Sequence, residues 1–200
     1  CRLRGGAWDR VGAAVAAALD AAVDVLRANG VAVDDVTWWD DELVRAVGAL
    51  QQRAAARVQE PYFNKHEAEY GEDVRARVAH ALTLTESDET GARAVVARAS
   101  TAWNAATLRY DVALAPSVGS EAPLAPVPTT FRDETIPLVT PASAFGLPAA
   151  AVPIGFGPAG MPLGMQIIAA GGDVSAAFAL GTAFQQRTDW HARRPALATA

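Results

Sequence analysis

The sequence has 200 residues, 51% of them hydrophobic and 20% charged, with a net charge of −5. That composition excludes a disordered chain and suffices for one domain with a buried core. The acidic balance offers no basic stripe to displace phosphate counterions and argues against a nucleic-acid partner, and no apolar run reaches the ~20 residues that span a bilayer.

Val11, Val15, Ala18, Leu19, Ala22, Val23 and Leu26 recur at helical spacing, with Asp20, Asp24 and Arg27 off the stripe. Asn29-Gly30 supplies a C-terminal stop. Val31 and Val33 then alternate as in a short strand, interrupted by Asp34-Asp35. A helix, a tight stop and a short strand form the local grammar of an α/β layer fold. Asp40 and Asp41 start a second helix through Leu43, Val47, Leu50, Ala54 and Val58, which Pro61 should end. Asp73 to Leu84 reads as a third helix, and Ser87 caps a fourth that runs through Trp103 to Ala106. The next strand is Val112 to Ala115. So much helix is long for a simple crossover and predicts an inserted helical layer over about residues 40–109.

Pro116, Pro123, Pro126, Pro128 and Pro137 forbid a long helix or a central strand between Ser117 and Val139. Thr140 then reads as the N-cap of a short helix, with Pro141 at its first position and Gly146 at its end. Ala149 to Phe156 is a short apolar run bounded by Pro148 and Gly157, which suits a strand buried on both faces. Leu163 to Ala169 is a second run, and the turn formers Gly157-Pro158-Ala159-Gly160 join the two as a hairpin. After the break at Gly171-Gly172, Asp173 caps a final helix. The sheet-forming part thus covers about residues 110–170 and the last helix about 173–187.

Several patterns imitate functional motifs. Gly155 to Gly160 matches G-x-G-x-x-G, but the dinucleotide chemistry needs a helix N-terminus next, where Pro162 and Gly164 stand; a turn is the better reading. His66-Glu67-Ala68-Glu69-Tyr70 begins like a zinc-protease motif, yet Tyr70 replaces the second ligand and His80 and His191 lie far off, so no metal is expected. Asp34, Asp35, Asp40, Asp41 and Glu42 read as helix caps and a solvated face. Gln166 is a polar side chain in an apolar strand; if buried it must be hydrogen-bonded, and a bond across the sheet is the expected partner. The single cysteine, Cys1, rules out an internal disulfide framework and suits a reducing, cytoplasmic setting.

The pattern Thr140-x-x-Ser143-x-x-Gly146-Leu147-Pro148-Ala149-x-x-x-Pro153-x-Gly155-Phe156, followed by Gly160 to Ile168 with Gly164 and Gln166, resembles the C-terminal segment of the amidase signature family. The likeness extends upstream through Tyr110 to Pro116 and downstream through Ala183 to His191, and more loosely to Ala7-Trp8-Asp9-Arg10. Ser143 stands where the family pattern often carries Asn. The resemblance implies an α/β fold, the C-terminal part of a mixed sheet flanked by helices within a single domain. It also implies hydrolysis of carboxamide C–N bonds by a serine activated through a second serine and a lysine, without metal or cofactor. Such a nucleophile sits in a Gly/Ser-rich loop that also binds the oxyanion. No such loop occurs here, no G-x-S-x-G elbow replaces it, and the only lysine, Lys65, stands in a polar segment. No catalytic residue is therefore expected in this chain, which should begin mid-protein. Thr140, Ser143, Phe145 and Gly146 are the substrate-pocket candidates, with Gly146, Pro148, Pro153, Gly164 and Gln166 as structural positions. The implied partner is a small-molecule amide, and the parent protein could form a homodimer. The alternatives are an amidase-like remnant or binding subunit, and an amidotransferase subunit. Against the last stands the apolar run Thr135 to Val139, where an amine-binding acid would be expected.

Overall fold

A five-stranded mixed sheet, ordered β2-β1-β3-β5-β4, carries the chain. Its strands are β1 (Arg2–Arg4), β2 (Asp35–Thr37), β3 (Val112–Pro116), β4 (Ala149–Phe156) and β5 (Pro162–Ala169). β1 pairs in parallel with both β2 and β3, while β5 lies antiparallel between β3 and β4. The computed structural model describes residues 1–126 and 129–194, so Val127 and Pro128 fall outside the described residues. It divides into two units: one made of Cys1–Trp39 with the chain from Ala102 onward, the other of Asp40–Thr101.

In the first unit, α1 (Ala13–Ala28) and α6 (Val174–Gln185) bury their apolar stripes on one face of the sheet. Val15, Leu19, Val23 and Leu26 of α1 and Phe184 of α6 meet Leu163, Met165 and Ile167 in one core cluster. Those β5 residues are spaced by two, so they share a face, and Gln166 and Ile168 point to the other. α1 ends as expected at Asn29-Gly30: Gly30 has φ +84, and Val31 N–H bonds back to the Leu26 carbonyl at 3.1 Å. Asp173 caps α6 by accepting from the Ser175 N–H at 2.9 Å. The hairpin is antiparallel, with Ala151 opposite Gln166, and Gly157 and Gly160 close its turn. No helix starts at Gly160, which removes the dinucleotide reading.

Several expectations need correction. The strand after α1 is Asp35–Thr37, not the Val31-Val33 segment. Val33 is buried in the core cluster within a connector that has no regular secondary structure, and Arg2 on β1 clamps Asp35 with two bonds of 2.7 Å. That cross-strand ion pair offsets the poor strand propensity of Asp. β1 leaves almost no trace in the sequence, since Leu3 buried between two arginines is too short a signal. β4 is not buried on both faces: it is the edge strand, with Ala149 and Ala151 exposed. An edge accommodates Pro153 and the register shift beside it.

Thr140 is not an N-cap, and the prolines do not forbid a helix. α5 runs Thr129–Ala144 with Pro137 and Pro141 inside it. Each proline removes one intrahelical donor, so the Asp133 and Pro137 carbonyls lose their i+4 partners. The two losses fall four residues apart, on one face. The helix persists because Leu138 is fully buried and Thr140 is buried, its hydroxyl donating to the Ile136 carbonyl at 2.7 Å.

The second unit is helical. α2 (Leu43–His66) continues through Pro61 because Phe63 beyond it is buried and packs on Tyr70, ring centroids 5.3 Å apart. α3 spans Glu72–Thr83 and α4 spans Glu86–Thr107, its last turns lying in the first unit. Thr85, not Ser87, caps α4: its hydroxyl accepts from Asp88 N–H, and the Asp88 carboxylate accepts from Thr85 N–H at 2.8 Å. Among the described residues, no helix is long and apolar enough to cross a membrane.

Candidate functional site

β1 leads through α1 to β2 on one side, whereas β3 pairs along the other side of β1. The path of the chain therefore diverges between β1 and β3. In open α/β sheets such a switch point leaves a crevice beyond the carboxyl ends of the two strands, and ligands bind there. A cavity of about 420 Å³ stands at that place. Arg10 and Gly12 after β1, Gly119 and Ser120 after β3, and Asp133 and Glu134 on α5 contribute to its wall.

Backbone contacts at glycines hold the wall together. Gly12 N–H donates to the Gly119 carbonyl at 2.8 Å. A Cβ on Gly119 would lie 3.1 Å from the Glu134 Cβ, so a side chain there would require α5 to give by a few tenths of an ångström. At the root of the same loop Ser117 N–H donates to the Gly164 carbonyl at 3.0 Å. Gly12 is also the N-cap of α1 and brings no side-chain oxygen, which leaves the positive end of the helix dipole at the wall.

One arginine, Arg10, two carboxylates, Asp133 and Glu134, and the Ser120 hydroxyl are among the lining groups. The described lining contains no lysine and no histidine. It can bind and orient a polar molecule with N–H groups. Lys65 is exposed on α2, in the other unit. Among the described residues, no group of three or more His, Cys, Asp or Glu is placed to hold a metal ion. Of the acids singled out in sequence, Asp35 is ion-paired with Arg2, and Asp40 and Glu42 with Arg98.

The four pocket candidates do not line this cavity. Thr140 is buried and bonded within α5, while Ser143 and Gly146 are exposed at the end of that helix. Gly146 has φ +63, and Leu147 N–H returns to the Ala142 carbonyl at 2.9 Å, which closes the helix in a left-handed cap. Phe145 joins an aromatic cluster, its ring 5.8 Å from Trp38 and 5.7 Å from Trp103. Trp8 and Trp39 extend the cluster, with Trp8 5.8 Å from Trp38. Pro148 accepts from Ala169 N–H at 2.8 Å, and Pro153 pairs with Gly164 across the hairpin. Gln166 is 5% exposed and donates to the Pro116 carbonyl at 2.9 Å and the Leu138 carbonyl at 2.8 Å. Sequence reasoning missed Arg10, Gly12, Gly119, Ser120, Asp133 and Glu134. Only the switch-point rule could have found them, and it needs the strand order.

The Amidase family model matches residues 3–174. The chain belongs to the amidase family. Fifty residues of this amidase-family chain are 54% identical to a subunit of the glutamyl-tRNA(Gln) amidotransferase of Cupriavidus necator, covering 25% of the chain and 10% of the relative. Among solved structures, an amidase matches with a TM-score of 0.83 at 25% identity, over 93% of this chain and 45% of that one. A bacterial aryl acylamidase of the amidase signature family matches in fold with a TM-score of 0.73 at 18% identity, over 98% of this chain and 46% of that one. The amidase-family chain thus spans less than half the length of these relatives.

Proposed function

We propose that the chain forms the C-terminal part of a single amidase domain that hydrolyses carboxamide C–N bonds. It walls the substrate cavity, while the rest of the protein brings the serine nucleophile, the lysine base and the oxyanion-binding loop. The observation that carries this reading is the switch-point cavity itself, whose wall offers Arg10, Ser120, Asp133 and Glu134 as binding groups. In this reading Thr140, Ser143, Phe145 and Gly146, at and after the end of α5, add a further stretch of pocket wall outside the described cavity, which the rest of the protein completes. The chemistry needs no metal or cofactor, since a neutral lysine takes the serine proton and backbone N–H groups stabilise the tetrahedral oxyanion. The substrate is a small amide, the setting cytoplasmic, and the whole protein can associate as a homodimer.

The test is ammonia release from a panel of small amides by residues Cys1 to Ala200, with and without the N-terminal half supplied separately. Release only in the combined sample is the expected result. Release by the chain alone that vanishes in Lys65→Ala would place the base here and overturn the reading. No release in either sample would favour a non-catalytic remnant.

A second reading, an amidotransferase component, draws support from two observations. One is the identity with the amidotransferase of Cupriavidus necator. The other is that Asp133 and Glu134 supply acids at the cavity, immediately before the apolar run that carries none. Glutamine-dependent transfer of ammonia to an activated acyl acceptor would separate it from simple hydrolysis.

A further inference from the structure

The loop that follows β3 has no regular secondary structure from Ser117 to Ala125, so its place depends on a few fixed points. Two are backbone bonds, Ser117 on Gly164 and Gly119 on Gly12. The third is Glu121, next to the cavity residue Ser120. Its carboxylate accepts from Ala159 N–H at 3.1 and 3.2 Å and from Met161 N–H at 3.1 Å. Both donors belong to the turn between β4 and β5.

Gly157 makes room for that carboxylate. A Cβ there would lie 2.0 Å from the Glu121 Cδ. Gly157 is not among the glycines with positive φ, so space explains the missing side chain and backbone conformation does not. The turn is already closed by its own bonds, Gly160 N–H to the Gly157 carbonyl at 3.0 Å and Gly157 N–H to the Met161 carbonyl at 2.9 Å. The hairpin therefore does not depend on Glu121, whereas the loop is moored to this turn through the Glu121 carboxylate. Bonds from backbone N–H to an ionised carboxylate are also stronger than neutral ones.

We infer that Glu121 is a positioning residue: seated on the N–H groups of the β4–β5 turn, it holds the Gly119-Ser120 wall of the cavity in place. The inference rests on the cavity being the site proposed above. Glu121 does not line the cavity and acts through its neighbours.

Three variants of the chain test it by amide hydrogen exchange: Glu121→Ala, Glu121→Gln, and Gly157→Ala, which displaces the carboxylate from the turn side. The deciding probe is the Gly12 amide, whose acceptor Gly119 lies two residues from Glu121. In Glu121→Ala and Gly157→Ala, Gly12 should exchange about tenfold faster or more, as local opening of the wall becomes easier. Glu121→Gln keeps a carbonyl acceptor and should stay within about threefold of the parent. A purely local contact would speed Ala159 and Met161 and leave Gly12 unchanged, and that result would overturn the inference. In the recombined protein, Glu121→Ala should raise KM several-fold with kcat nearly constant. If the parent shows no activity, the proposed function fails, and the exchange of Gly12 still decides this point.

Discussion

The side-chain amide of Gln166 donates to the carbonyl of Leu138 at 2.8 Å and so ties β5 to the middle of α5. The same nitrogen donates to the Pro116 carbonyl at the end of β3, and Trp8 Nε1 reaches the Leu138 carbonyl at 3.4 Å. One buried amide thus joins β5, the end of β3 from which the cavity loop departs, and the helix that forms the opposite wall. Replacing Gln166 by Leu keeps the volume but leaves the Pro116 carbonyl without that donor. A loss of about 2–3 kcal/mol is expected, the cost of a buried unpaired acceptor. Urea unfolding with an unchanged slope checks it; a midpoint equal to the parent's would show that the bonds contribute nothing net.

Gly146 ends α5 with φ +63, and a Cβ there would meet nothing within 4 Å. The cost of a side chain is therefore backbone strain alone. Gly146→Val should lower stability by about 1–2 kcal/mol, and Gly146→Asn by less, since Asn tolerates the left-handed region. Thermal melting of the two variants side by side tests the ranking.

A Cβ on Gly164 would stand 2.3 Å from the Ser117 Oγ and 3.7 Å from the Ser117 Cβ. The obstacle is the hydroxyl, not the backbone. Gly164→Ala should destabilise by about 1–3 kcal/mol through overpacking, and adding Ser117→Ala should recover most of it. A double-mutant cycle measures the coupling, and simple additivity of the two changes would refute this account.

Arg2 holds the Asp35 carboxyl below its usual range, first through their hydrogen bond and then through charge attraction. A carboxyl depressed by folding contributes stability above its unfolded pKa and loses that contribution as pH falls through the folded value. Melting temperature should thus fall as the pH drops below about 4, the ordinary Asp range. The decline should be shallower in Asp35→Asn. The pair is partly exposed, so the difference should be small and should shrink in high salt. A variant that declines as steeply as the parent would remove Asp35 from the cause.

Local chemistry made much of the fold legible. The α1 stripe with its Asn-Gly stop, the two apolar runs joined by a glycine-rich turn, and the Asp173 cap are signals carried within a few residues. Gln166 was readable too, because a lone polar group in an apolar strand has to find partners. Less legible were features that depend on distant compensation. Pro137 looks like a helix breaker and Pro141 like a helix start until Leu138 is seen buried between them, and Pro61 looks like a stop until Phe63 is seen buried. β1 has three residues, and its strand character comes from Arg2 meeting Asp35 across the sheet.

By itself the sequence determined the α/β character, the hairpin from Ala149 to Ala169, the helix cap at Gly146 and membership of the amidase pattern, since each rests on local spacing and turn chemistry. Only the tertiary structure decided the strand order and the switch point between β1 and β3. It alone brought Gly12 to Gly119 and Glu121 to the turn at Ala159. Those contacts join residues 38 to 107 positions apart in the chain. No local period encodes such meetings: they follow from how the helices and strands bury their apolar faces together.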